Sequence, residues 1–336
     1  MSAPVAEETA ELDPLKSRPK GSSTEISGKS PLRIAFGRLM RDKIAVVCIG
    51  VVALFVLLAI FGPLISKAFG VTTDTQYPTQ FLELNMIPKA EFGPPYGGFT
   101  MDHPFGIAPR TAIDNLAYWL EGARNSLQIA SLATLTATVL GIVIGLLAGF
   151  MGGLVDRVLT FVTDLFLTLP FLLVALTIAP IVNERFRDNT DFYPTAQVIS
   201  LVCVLSFFGW MGLARLIRGE VLSLREREFI HAARVMGMPT RRILVKELLP
   251  NIVAPIVVST SLMLPAFVAA EAGLAYLGVG ITSRPSWGQM LDQGTSFFSN
   301  YPLYLYEPLI AIVALVLALN LLGDAIRDAL DPKTRR

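Results

Sequence analysis

Cysteine, histidine and charge are all scarce in this chain, and each scarcity removes a class of function. Of 336 residues only two are cysteines and two are histidines. Cys48 and Cys203 lie far apart within apolar runs, so they form neither a disulfide framework nor a zinc spacing. His103 and His231 stand 128 positions apart with no HExxH pattern, which leaves no signature of a metal enzyme. Charged residues make up only 16% against 53% hydrophobic, outside the balance of a soluble globular domain, and the net charge of +1 gives no hint of nucleic acid. A phosphate loop is lacking too. The stretch "GSSTEISGKS" ends in Gly28-Lys29-Ser30, but six residues rather than four separate Gly21 from Gly28 and no strand precedes it. No convergent set of His, Cys or carboxylates supports a membrane enzyme. A stand-alone channel or ion-coupled carrier would be favoured by dense intramembrane charge or a repeated half-sequence, and neither is present.

What the chain has instead is long apolar runs, which give the expected fold class: an all-α polytopic membrane protein with six transmembrane helices. The runs lie near 44–66, 126–150, 158–181, 195–217, 251–278 and 303–323, each long enough to cross about 30 Å of hydrocarbon at about 1.5 Å per residue. Residues 1–30 are rich in Ser, Glu, Lys and Pro and read as a disordered cytoplasmic tail, not as a secretory signal. Residues 31–66 then form an N-terminal segment with the first helix, 67–125 an extracytoplasmic loop, and 126–336 a core of five helices with a cytoplasmic loop at 218–250. Arg and Lys orient the bundle. The windows 1–43, 151–157, 218–250 and 327–336 hold 20 of them in 93 residues, and the opposite windows 67–125, 182–194 and 279–304 hold 7 in 98. By the positive-inside rule both termini face the cytoplasm.

Within the spans, Gly141, Gly145 and Gly149 recur at four-residue spacing and invite close helix packing, inside the fold or at a dimer seam. Pro170 and Pro180 interrupt the third run, and Pro255 and Pro265 the fifth, where each removes a backbone hydrogen bond. Asp164 and Glu271 are acids within apolar runs, expected to face protein or a watery cavity and not lipid; pathway lining and an interhelix hydrogen bond both stay open. The polar stretch 228–250, "EFIHAARVMGMPTRRILVKELLP", reads as helix, turn, helix. Gly237 suits a left-handed helix end, Pro239 follows it, and a second short helix runs from Thr240 to a stop at Pro250. Alone, this hairpin fits either an amphipathic element lying on anionic lipid or a docking element for a cytoplasmic partner.

The same stretch resembles the EAA loop of permease subunits of binding-protein-dependent ABC importers, whose pattern is EAA, three residues, Gly, nine residues, then I, any residue, L, P. Ala232, Ala233, Gly237, Leu249 and Pro250 fill that pattern, with His231 at the Glu position and Glu247 at the Ile position. "ARLIRGEVLSLREREFI", "AEAGLAYLGVG", "PSWGQML" and "NLLGDAIRDALDP" are similar to the second permease of dipeptide and oligopeptide importers, and "RLMRDKIAVV" with "FGPLI" extends the likeness to the first span. In the outer loop "HPFG" at 103–106 is kept, but "IAPRT" follows where the family has two Asp positions.

The resemblance implies a type I ABC importer permease, not an enzyme, whose 228–250 loop rests in a groove of an ATP-hydrolysing subunit. Ala232, Ala233 and Gly237 would form the close contact, with Glu228 and Arg234 at its rim and His231 in place of the usual Glu. It implies no cofactor in this chain, with ATP and Mg in partner subunits. The implied partners are a homologous permease completing a heterodimer, two ATP-binding subunits, an extracytoplasmic solute-binding protein and membrane lipid. The setting would be a bacterial-type cell membrane and the cargo peptides, with nickel chelates or other small solutes as the alternative.

Overall fold

Without water to bond free N–H and C=O groups, an apolar run crosses a membrane only as a helix or a closed barrel, and here the runs are helical. The computed structural model describes residues 31–74, 78–89 and 102–331; the tail expected at 1–30 lies outside them. In chain order the helices are α1 (Pro31–Leu39), α2 (Lys43–Phe69), α3 (Pro78–Phe81), α4 (Asn115–Met151), α5 (Gly153–Leu167), α6 (Phe171–Phe186) and α7 (Tyr193–Leu224). There follow α8 (Glu228–Val235), α9 (Thr240–Arg242), a π-helical stretch (Ile243–Leu248), α10 (Leu249–Asn251), α11 (Val253–Tyr276), α12 (Trp287–Thr295) and α13 (Pro302–Leu330). Extended pairing among the described residues is limited to two isolated bridges, Leu82 with Pro88 and Ile107 with Asp114.

Five helices, α2, α4, α7, α11 and α13, are each long and apolar enough to span a membrane. The third expected span, 158–181, is not one straight helix: α5 and α6 meet at 86° across Thr168, Leu169 and Pro170. Pro170 brings no N–H to continue the ladder, and the Thr168 hydroxyl closes the end of α5 by donating to the Leu165 carbonyl at 2.6 Å. Pro180 and Pro265, by contrast, sit inside α6 and α11 without ending them. Pro255 falls in the first turn of α11, where an N–H has no intrahelical partner to lose.

Capping places the other ends. Asp42 accepts from the Ile44 N–H at 2.9 Å and Gly70, at φ 70°, closes α2. α4 begins at Asn115 and not near 126, because Asp114 caps it by accepting from the Ala117 N–H at 3.1 Å. Residues 115–125 are polar enough to read as loop, yet Trp119, Leu120 and Ala123 are buried. Phe55, Trp119 and Trp287 form an aromatic cluster with centroids 5.4–6.3 Å apart, locking α2, α4 and α12 together. The expected loop 67–125 therefore ends at Asp114.

The bundle's central seam joins α4 to α7. An added Cβ would lie 2.9 Å from a Leu213 methyl at Gly141, 2.7 Å from the Ala214 carbonyl oxygen at Gly145 and 2.8 Å from Val221 Cβ at Gly149. The three glycines thus face a neighbour within the chain, and only a missing side chain lets the two backbones come so near.

Candidate coupling site

At the Arg- and Lys-rich end of the bundle the chain leaves α7 and makes a hairpin. Arg225 ties its root to α4 by donating from Nη1 to the Gly149 carbonyl at 3.2 Å. Arg227 is extended, and α8 begins at Glu228. Gly237 ends it at φ 75°, a conformation that L side chains rarely adopt. Gly237 N–H donates to the Arg234 carbonyl at 2.9 Å and Met238 N–H to the Ala233 carbonyl at 3.0 Å, the paired bonds of a Schellman end. Pro239 is extended again and opens α9. Pro250 has no N–H to return to the preceding turn, and ahead of it the helix widens into the π-helical stretch.

The hairpin has two unlike faces. Ile230 and Ala233, three positions apart and so on one side of α8, pack in a cluster with Ile243, Leu248 and Ile252, on Leu146 and Phe150 of α4 and Ile217 and Val221 of α7. Leu249 is half-buried against the same cluster, and Pro250 is exposed. Arg234 reaches back so that its guanidinium lies 4.9 Å from the Phe150 ring centroid. On the opposite face Glu228, His231, Ala232 and Gly237 are exposed. So are three large apolar side chains, Phe229 at 40%, Val235 at 88% and Met236 at 73%. The contact set implied by the resemblance is thereby divided. Ala232 and Gly237 face outward, whereas Ala233, only 2% exposed, is small because it is packed inside its own chain. Phe229, Val235 and Met236 were not among the sequence candidates; their signal is apolar character next to the polar positions of a short helix.

The two intramembrane acids are not brought together. Asp164 pairs with Arg215 at 2.6 Å between α5 and α7, with both side chains half exposed. A cavity of about 210 Å³ lies beside this pair, lined also by Thr160, Thr163 and Ala214. Eight residues earlier in α5, Asp156 accepts from Nε and Nη2 of Arg218 at 2.6 and 2.8 Å and from the Thr160 hydroxyl at 3.1 Å. The basic partner of Asp164, Arg215, lies within the run 195–217 and was not among the sequence candidates. Glu271 is enclosed with no exposed surface, and neither carboxylate oxygen has a hydrogen-bond partner among the described residues. It faces protein. A further acid, Glu307 of α13, is also deprived of partners for both oxygens.

At the far end, the "HPFG" stretch folds onto the start of α4. His103 Nδ1 lies 2.8 Å from Asp114 Oδ2, and Asn115 donates to the Phe105 carbonyl at 3.0 Å. Burial raises the Asp114 carboxyl above its ordinary value, and the His103 contact opposes that shift. Ile107, Ala108 and Ala112 are buried in this segment beside Asp114.

Comparison with known proteins accounts for this architecture. The family described as "binding-protein-dependent transport system inner membrane component" matches residues 141–336. The "N-terminal TM domain of oligopeptide transport permease C" matches residues 30–88. The dipeptide transport system permease protein DppC of Alkalihalophilus pseudofirmus is 32% identical over 91% of this chain and 91% of its own. The oligopeptide transport system permease protein OppC of Escherichia coli is 31% identical over 93% of this chain and 94% of its own. That of Mycobacterium tuberculosis is 38% identical over 66% and 73%. A solved structure of the inward-facing MetNI methionine ABC transporter aligns with a TM-score of 0.49 at 21% identity, over 64% of this chain and 96% of that one. A family match across more than half the chain, joined to a bundle of five or six spans, leads to one conclusion: this chain belongs to the binding-protein-dependent transport permeases and is a multi-pass membrane component of an ABC importer.

Proposed function

We propose that this chain is one half of the translocation path of an ATP-driven peptide importer in a bacterial cytoplasmic membrane, with both termini and the 228–250 hairpin in the cytoplasm. The observation that carries the reading is the two-faced hairpin: its inner face is welded to α4, α7 and α11, and its outer face leaves Phe229, Val235 and Met236 uncovered. Large apolar side chains grouped on an exposed helix mark an interaction site. In this reading an ATP-binding subunit covers them, ATP and Mg are held there, and a homologous permease supplies the other half of the path. An extracytoplasmic binding protein delivers the solute to the opposite end. Peptides are the favoured cargo because the relatives matched over most of the chain are named dipeptide and oligopeptide permeases.

The mechanism follows from the packing. Closure of two ATPase subunits displaces α8, and the cluster of Ile230, Ala233, Ile217 and Ile252 passes the displacement to the inner ends of three spans at once. Close-packed cores switch between discrete packings and do not deform smoothly, so the bundle alternates between inward-open and outward-open forms. The 86° break between α5 and α6 is the element best built to re-angle.

The test is co-purification in mild detergent. The wild-type chain should bring down two ATPase subunits and a sister permease. Val235→Glu with Met236→Glu should lose the ATPases and keep the sister permease. Undiminished ATPase recovery from that variant would remove the hairpin's outer face from the coupling role.

A further inference from the structure

Arg124 carries a charge into a helix that crosses the membrane. It lies nine residues beyond Asn115 in α4, about 13 Å along the axis at 1.5 Å per residue, and its side chain is exposed. Among the described residues it forms no ion pair, and neither does Lys67 in the last turn of α2. Both line one cavity of about 340 Å³ between α2 and α4, together with Ser66, Thr72 and Thr73. Glu121 shares that cavity and leaves its lining with one net positive charge. A second cavity of about 400 Å³ shares Arg124 and runs on along Val56, Ile60 and Leu127. Gly62 fixes how these helices meet, since a Cβ there would lie 3.3 Å from Leu120 Cβ. The result is a cationic, hydroxyl-bearing head above a mainly apolar trough, with Gln128 and Ser131 as its polar members.

A guanidinium without an ion pair attracts an anionic group, and its planar fork suits phosphate oxygens. The trough beneath matches a hydrocarbon chain. We propose that the α2–α4 groove holds a phospholipid with an anionic headgroup, its phosphate between Lys67 and Arg124 and one acyl chain along Val56, Ile60 and Leu127. In the orientation proposed above it belongs to the extracytoplasmic leaflet, and the site stands whatever solute is carried.

The complete transporter, placed in nanodiscs of phosphatidylethanolamine with a minor share of phosphatidylglycerol, tests this by native mass spectrometry of the lipids that stay bound. The wild type should retain phosphatidylglycerol above its share in the disc. Arg124→Ala and Lys67→Ala should each lower that retention about fivefold, the weight of one cation near a membrane surface. Arg124→Lys should keep most of it, and Ile60→Trp, which fills the trough and leaves both charges, should reduce it. Retention of the two lipids in proportion to the disc, or unchanged retention in Arg124→Ala, overturns the proposal. A disulfide from Arg124→Cys to the sister permease, with no lipid retained by the wild type, would make the groove a subunit contact instead.

Discussion

Gly237 shows how one residue can be required for two separable reasons. Its φ of 75° is a left-handed conformation, and nothing lies within 4 Å of the place a Cβ would take, so within the chain the demand comes from the backbone and not from space. A leucine there would carry about 1–2 kcal/mol of strain, while asparagine tolerates the conformation better. Gly237→Leu should abolish uptake of a labelled peptide while the protein remains inserted, and Gly237→Asn should retain a substantial part. Equal loss in both would place the requirement in a crowded partner contact, and normal uptake in Gly237→Leu would contradict the docking role. The adjacent alanines divide in a similar way. Ala233→Leu should lower the thermal midpoint, because overpacking a buried site costs about 1–3 kcal/mol. Ala232→Leu should leave the midpoint unchanged and weaken ATP-driven transport. Comparing melting curves with uptake checks both. The turn at Gly237 and Pro239 was legible in the sequence because its chemistry is local. That Ala233 turns inward was not, since Ile217 and Val221, more than ten residues away in the chain, decide it.

At the level of elements, spans could be read from apolar length, but their ends and breaks depended on distant partners. α4 reaches back to Asn115 because Trp119 finds Phe55 and Trp287, a meeting that no local pattern announces. The acid at 164 was legible and its partner Arg215 was missed, although Asp156 and Asp164 on α5 and Arg215 and Arg218 on α7 recur at spacings that put each set on one helix side. The glycine spacing in α4 was legible as a packing signal, whereas only the fold identifies α7 as its neighbour. Gly145→Val should therefore prevent the α4–α7 seam from closing and give a protein that aggregates on detergent extraction. Gly212→Val, where nothing lies within 4 Å, should extract as the wild type does. Size-exclusion profiles distinguish them, and a monodisperse Gly145→Val protein would mean that the seam is looser than described.

For the whole molecule, the two larger hydrophobic clusters divide the labour. One includes Trp119 and Trp287 and runs through α2, α4, α7, α11, α12 and α13, and the other joins the hairpin to α4, α7 and α11. A bundle with a continuous core, attached to an exposed lever, is suited to being rocked from outside. The most direct measurement is peptide uptake into proteoliposomes containing either this chain alone or the complete set of two permeases and two ATPase subunits, with binding protein and ATP supplied to the appropriate faces. Uptake that requires the full set and ATP is the expected result. Uptake by the lone chain at the same rate, with or without ATP, would contradict the account.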